Sequence, residues 1–552
     1  ALTALLLAMS LVSMAIAQDQ RQAQVSPALL ESLRSIRPEA IRAHLEFLAD
    51  DALDGRGTGS RGYDLAAKFV RAQFAALGLK SGVTDGSYFQ PVALRRTEVD
   101  ASGSSLVIEA NGRENSLAYN RDYIVLDTHA HPTGSVSAPV VFVGYGVTAP
   151  EFQYDDYAGL DARGKIVVVF ELGAPAAFPA TERAYYMDND VKSRIAREHG
   201  AAGLIVIRSP EEEGRFPWTS LLREVKTGYN SMRWMESADR VYGISEGLAA
   251  CADLNRSGSE ALFAGESPTL AQVFAEAKDG GKTRSFALHK TASIRYKARH
   301  TPVTSANIVG VLPGSDPELR KEYVVVTAHV DHLGIGPAVN GDNIYNGALD
   351  NAAGTSVMLE VARWVAAQPV APRRSIAFVA LTGEEEGLLG STAFANQPPL
   401  DGTIVANINV DGGAATVPVK AVVAFGEEHS SLGAIARQAA VLQLEFSPDP
   451  MPEEGAFIRS DQYSFVRSGV PALQLDLGFK SDQPGVDPLA VVKNWLVTVY
   501  HSPKDDTSQT IHYESSARFA RYAALIMFST ANDSRRPEWN TGDFFGKRFA
   551  RR

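Results

Sequence analysis

Two histidines and a set of carboxylates stand where stretches of β-branched sequence end. His329 and Asp331 follow Tyr-Val-Val-Val-Thr-Ala, and Asp350 lies in the loop Asn346-Gly347-Ala348-Leu349-Asp350-Asn351-Ala352-Ala353-Gly354. Glu384, Glu385 and Glu386 follow Ser-Ile-Ala-Phe-Val-Ala-Leu, Asp411 ends Asn-Ile-Asn-Val-Asp, and His501 opens His-Ser-Pro-Lys-Asp-Asp. Taken singly, each reads as a strand-end cap or a solvated charge, and three consecutive glutamates read as an exposed acidic turn. Together they bring imidazole and carboxylate to one sheet edge, a donor set that suits zinc. Two divalent ions about 3.5–4 Å apart need a bridging carboxylate, terminal ligands and open positions. A bound ion lowers the pKa of its water to about 7, and a nearby glutamate that does not ligate can move the proton. Asp331, two residues beyond His329, is placed to accept from the other nitrogen of that ring.

The elements that must position these residues are legible from about residue 300 onward. Strands over 323–329, 375–381, 403–411 and 472–477 alternate with helices over 352–366, after 381, and around 489–500. That alternation predicts an α/β fold, a three-layer and mostly parallel sheet with helices on both faces. Ligands in such sheets bind beyond the carboxyl ends of the strands. Residues 27–80 read as helices broken by the loop 54–62, and strand texture runs from 105 to 170. Residues 210–285 carry no clear periodicity. Arg56 and Arg61 in the early loop read as solvated, with anion contacts at the site as the alternative. His129 and His131 read as a surface strand, Cys251 as a buried apolar residue, and His332 as a pocket-lining residue that is not a ligand.

Composition bounds the function classes. The chain has 552 residues and a formal net charge of −11, long for one domain and lacking the basic face of a nucleic-acid binder. A single cysteine excludes an intrachain disulfide and a cysteine zinc ribbon, so any metal must be held by histidine and carboxylate. Residues 1–17 carry no charge and end in Ala-Ile-Ala, the pattern of a partial signal peptide too short to span a bilayer. This reading implies export, to a bacterial periplasm or medium, with no membrane span once the leader is removed.

The run AHVDHLG, GDNIYNGALDNAAG, TGEEEGLLGS, NVD and YHSPKDD, in this order over roughly residues 300–510, resembles the co-catalytic zinc aminopeptidases of peptidase family M28. The resemblance implies two zinc ions bridged by Asp350, with His329 and Asp411 on one and Glu385 and His501 on the other. It implies that Glu384 is the general base, that Asp331 supports His329, and that the Asp350–Asn351 peptide bond is cis. Glu386 falls at a variable position outside the site. Two departures are Leu349, where many relatives carry Asp, and Ser460-Asp461-Gln462, where relatives often have His third, which puts substrate-side contacts in question.

Pieces such as VFVGYGV, DARGKIVVVFE and REHGAAGLIVI resemble an inserted, β-rich α+β protease-associated (PA) domain. The expected organisation is a leader over 1–17, N-terminal helices over 18–110, the PA-like insertion over 111–292, the zinc peptidase unit over 293–535 and a tail over 536–552. The implied activity is removal of N-terminal residues from peptides with a free N-terminus. A carboxypeptidase or dipeptidase of the same superfamily is the alternative, disfavoured because no basic pocket for a C-terminal carboxylate is evident. A non-catalytic peptide- or partner-binding protein is the other alternative, and the oligomeric state stays open.

Overall fold

The computed structural model describes residues 26–227, 231–243 and 247–550, so the leader expected over 1–17 lies outside the described residues. Near the start, apolar residues at helical spacing form α1 (Pro38–Leu48) and α2 (Arg61–Ala76). Pro38 sits at the helix start, where its missing N–H costs nothing, and Ser60 caps α2 by accepting from the Tyr63 N–H.

Strand β1 (Phe89–Val99) leads into the insertion, whose sheet contains β2 (Ser105–Ala110), β3 (Arg113–Leu117), β4 (Tyr123–Leu126), β5 (Thr133–Val143), β6 (Ile166–Phe170) and β7 (Gly203–Ile207). The stretch that resists sequence reading folds as several short elements. Among them are α3 (Trp218–Thr227), β8 (Met232–Trp234) and β9 (Ala250–Leu254). The chain returns on β10, one strand over Ser285–Leu312. The insertion sheet runs β3–β2–β10–β5–β6–β7–β9–β4, with β5, β6, β7 and β9 parallel.

Strand β10 crosses both units, and this moves the expected boundaries. Its first part pairs with β2 and β5, and from Ala298 onward it pairs with β1. Ser105–Ala110 therefore belongs to the insertion rather than to the N-terminal helices, and Ser293–Lys297 belong there too. The alternating pattern runs through the crossing without a turn signal, so no break at the true boundary is visible in the sequence.

The catalytic sheet adds β11 (Glu322–His329), β12 (Ser375–Leu381), β13 (Thr403–Val410), β14 (Ala421–Phe425) and β15 (Ala472–Leu477). Its order is β1–β10–β12–β11–β13–β15–β14, with β12, β11, β13 and β15 parallel and β10 and β14 antiparallel at the flanks. Helices α4 (Ala353–Ala366), α5 (Leu389–Asn396), α6 (Pro488–Thr498) and α7 (Tyr513–Asn532) accompany it. Alternate strand residues serve opposite faces. Val324, Val326, Ile376 and Phe378 pack with α1, α2, α4 and α7, whereas Val325, Ala377 and Val379 pack with Phe394 and Phe465. Central strands covered on both sides are apolar throughout, and the expected three-layer α/β class holds. No described helix is long and apolar enough to cross a membrane.

Trp364 of α4 is fully buried, its ring 5.6 Å from that of Phe528 in α7. Trp364→Ala is expected to cost ~3–5 kcal/mol, read as a lower urea midpoint with unchanged slope.

The expected tail over 536–552 instead contains α8 (Phe544–Phe549), which docks between the units. Phe545 is buried against His429 and Phe457, and the Arg548 guanidinium lies 4.7 Å over the Tyr185 ring of the insertion and 2.8 Å from Glu151. The three phenylalanines of α8 would be costly to leave in water. His429 links this helix to the core through Asp543 at 2.7 Å. Burial opposes its charge, but the bonds to Asp543 and Glu428 outweigh that and raise its pKa to about 9. A raised folded-state pKa gives stability that is complete below the unfolded value of about 6.5 and is lost as pH rises through about 9. Thermal melts across this window are expected to fall with pH, and His429→Gln is expected to flatten the dependence.

Candidate metal centre

The parallel strands put their carboxyl ends side by side, and the predicted residues meet there. His329 ends β11 in register with Leu381, the last residue of β12, so the turn carrying Glu384 and Glu385 starts beside it. Asp411 follows β13 on the other side of β11. Asp350 lies in the turn that opens α4, and its bond to Asn351 is cis. The Asn351 side chain donates to Val410 O and accepts from Gly354 N and Gly412 N, which fastens this turn to the end of β13. Gly347, at φ +59°, passes so close to His332 that a Cβ would lie 2.5 Å from its ring.

Asp350 is the hub. Its Oδ1 lies 3.3 Å from His329 Nε2, and its Oδ2 lies 3.5 Å from His501 Nε2. Asp411 Oδ1 is 3.3 Å from the same His329 nitrogen, and Glu385 Oε2 is 3.1 Å from that of His501. Glu384 Oε2 stands 4.0 Å from His329 Nε2 and faces the cleft. The donor atoms of His329, Asp350 and Glu385, and those of His329, Glu384 and Asp411, form two groups compact enough to hold a cation.

Electrostatics match the geometry. Burial opposes charge on His329, yet Glu384 and Asp411 hold its pKa well above the imidazole range. Burial likewise opposes charge on Asp350, but bonds to His329 and His501 hold it well below the carboxylate range. Glu385 behaves similarly, pulled down to about 2 against burial by His501 and, among other contacts, His332. Glu384 goes the other way: burial, with Asp411 and Glu385 adding to it against His329, pushes it well above the ordinary range. Four carboxylates thus crowd the site and hold protons on the rings of His329 and His501, protons that a bound cation would displace.

The supporting contacts differ from the simplest reading of the sequence. Asp331 does sit under His329, but His329 Nδ1 meets the Asp331 main-chain oxygen, 3.0 Å away. The Asp331 carboxylate instead accepts from Thr58 Oγ1 at 3.0 Å and from the N–H groups of Glu384 and Glu385 at 3.3 and 3.4 Å. Asp331 therefore orients both His329 and the turn bearing Glu384 and Glu385. Asp505, unassigned from sequence, accepts from Leu349 N and Asp350 N at 3.0 Å each and holds the hub from behind. Its place in the polar run after His501 is the one sequence signal for it.

Three other readings are corrected. Arg56 is neither solvated nor an anion contact. It is 1% exposed and donates to the main-chain oxygens of Leu48, Val330, Asn346 and Gly347, whereas Arg61 is exposed. His129 is not on a surface strand but in a buried turn lining the cleft, where burial, with help from Arg233, lowers its pKa to about 2. Gln462 faces the interior, bonded to Asn409 and to Phe457 O, so it does not alter substrate contacts directly. His332 lines the site and sits 2.5 Å from Glu385 Oε1, where it fixes that carboxylate. Glu386 stays out of the cluster and accepts from Met232 N of the insertion at 3.1 Å. Cys251 is buried, as read.

The insertion also reaches the centre. Glu224 on α3 lies 3.7 Å from His501 Nδ1, a contact invisible in a segment without periodicity. The two units enclose a cleft of about 1940 Å³ lined by Asp350, Glu384, Glu385 and Asp411. Arg96, Arg233 and Arg467 also line it. These arginines come from β1, β8 and the helix Gln462–Arg467, so the basic lining is assembled only by folding.

Comparison with known proteins places this arrangement. The model of peptidase family M28 matches residues 307–527. The aminopeptidase YwaD of Bacillus subtilis is 38% identical over 107 residues, 19% of this chain and 21% of that protein. The aminopeptidase NAALADL1 of Mus musculus is 35% identical over 115 residues, 20% of this chain and 14% of that protein. The matched stretch thus spans about a fifth or less of the length of these curated relatives. Among solved structures, an aminopeptidase from Aneurinibacillus sp. strain AM-1 aligns over 90% of this chain and 94% of its own, at 19% identity and a TM-score of 0.49. The family model covers every predicted ligand, from His329 to His501, so residues 307–527 are the part of the chain that is similar to peptidase family M28.

Proposed function

We propose that the protein is an exported aminopeptidase that holds two zinc ions at the ends of β11, β12 and β13 and hydrolyses the N-terminal bond of peptides. One observation carries this reading: the two oxygens of Asp350 face two different histidines, at 3.3 and 3.5 Å, with Asp411 beside one and Glu385 beside the other. His329, Asp350 and Asp411 would hold one ion, and Asp350, Glu385 and His501 the other. Imidazole and carboxylate donors fit zinc. The relatives named as aminopeptidases and zinc metalloproteases support the assignment, as do the uncharged leader residues for export. Residues 100–297 are read as a PA-like domain that roofs the cleft.

Bound zinc would supply Lewis acidity to the scissile carbonyl and lower the pKa of a water to about 7. The chain's own residues do the rest. Glu384, unligated and facing the cleft, accepts the proton of the attacking water and delivers it to the leaving amine. Asp331 fixes the turn that aims Glu384, and His332 fixes Glu385. A substrate's free amine would be received at this end of the cleft, beside the carboxylates Glu384 and Asp411.

Dialysis against a chelator is expected to abolish aminopeptidase activity and lower the melting temperature, because a ligand bound only to the folded state stabilises it. Zinc should restore both, at two ions per chain by elemental analysis. Asp350→Asn should prevent restoration. Activity that survives complete metal removal would contradict the reading.

A further inference from the structure

We infer that Arg96 forms a carboxylate-binding subsite in the cleft, on the leaving-group side of the proposed aminopeptidase site, an inference that rests on that reading. Arg96 lies near the end of β1, opposite Met232 of β8. By strand alternation it shares a face with Val92 and Leu94, which pack with Met232, Trp234, Leu389 and Ala393. That face looks toward the start of α5, directly after the turn of Glu384 and Glu385. A short chain of contacts joins the two places: Glu386 accepts from Met232 N, and Met232 registers against Arg96.

The guanidinium is held loosely for a residue in such a place. It meets Met232 Sδ at 4.0 Å, and among the described residues no carboxylate lies within ion-pairing distance of it; Glu386 feels its charge only from farther off, with burial raising that carboxyl to about 8. The other arginines of the cleft are engaged. Arg215 pairs with Glu454 at 2.6 Å, Arg233 donates to Met232 O and stands 4.0 Å from Asp127, and Arg467 lies over the rings of Tyr242 and Tyr463. A half-buried guanidinium whose donors, among the described residues, meet no oxygen acceptor suits a planar carboxylate beside a peptidase centre, which it can grip through two parallel bonds. The free amine of the substrate must lie among the carboxylates of the metal cluster. A carboxylate that reaches Arg96 therefore belongs to the part of the peptide beyond the scissile bond. It is either the C-terminal carboxylate of a short peptide or an acidic side chain.

The test uses zinc-loaded full-length protein and two substrate pairs, Leu-Ala against Leu-Ala-amide and Leu-Asp-amide against Leu-Asn-amide. A charge-assisted bond predicts a KM roughly 10- to 100-fold lower for the carboxylate member of at least one pair. Arg96→Gln should erase that preference through KM while leaving kcat and the hydrolysis of Leu-Asn-amide nearly unchanged. Arg96→Lys should keep part of it. A preference in the first pair identifies the terminal carboxylate as the ligand, and one in the second pair identifies the side chain. Equal KM values within both pairs, or a preference that persists in Arg96→Gln, would overturn the subsite alone. Failure of the wild type to hydrolyse any of the four would overturn the aminopeptidase reading and the subsite with it.

Discussion

Glu384→Gln is expected to keep both metal ions and the fold while losing about 10²- to 10⁴-fold in kcat. The amide has nearly the same shape, so the turn that Asp331 holds through the Glu384 and Glu385 N–H groups should remain. What disappears is the ability to take a proton. Because Glu384 is not among the proposed ligands, zinc content measured beside the rate separates the two roles. Metal loss in this variant would make Glu384 a ligand, and a near-normal rate would remove it from the mechanism.

Arg56→Met is expected to destabilise the fold by ~3–5 kcal/mol, the cost of breaking a buried charged network. Its guanidinium ties Leu48 at the end of α1 to Val330 after β11 and to Asn346 and Gly347 before the hub. The two loops that carry the proposed ligands His329 and Asp350 therefore share one clamp. Burial lowers its pKa to about 10 against the pull of Asp331 and Asp505, so it remains a cation at neutral pH beneath the carboxylates. Arg56→Lys should rescue little, since one ammonium cannot span four carbonyl oxygens in three directions. Denaturant unfolding with a zinc titration would read both effects. A loss under about 1 kcal/mol would place Arg56 among ordinary partly exposed residues.

These two residues mark what the sequence discloses and what it conceals. Glu384 is legible because hydrophobic strands announce their own ends, and a carboxylate placed there is costly without a purpose. The same logic locates His329, Glu385 and Asp411, whereas Asp350 in its loop and His501 beyond a helix are singled out by the motifs around them, and strand boundaries at 375–381 and 472–477 match to the residue. Arg56 is not legible. Its partners are main-chain oxygens up to 291 positions away, which no local pattern encodes, and a Gly-rich loop with two arginines ordinarily reads as solvated. Asp505 and Glu224 fail for a similar reason, since each acts on the site from a distant segment. Strand β10 hides the domain boundary because a single pleated run serves two sheets. The segment read as a tail folds as α8 because it docks against Tyr185 and His429, contacts that lie far away in sequence.

The central claim is that the carboxylate-rich end of the cleft receives a free amine next to the scissile bond. Rates of the zinc-loaded protein on leucine p-nitroanilide and on its N-acetylated counterpart test this most directly. The account predicts rapid hydrolysis of the free amine and at least ~100-fold slower hydrolysis of the acetylated compound, the scale of a lost charged contact at a catalytic site. Comparable rates on the two, or cleavage of the acetylated compound alone, would contradict it.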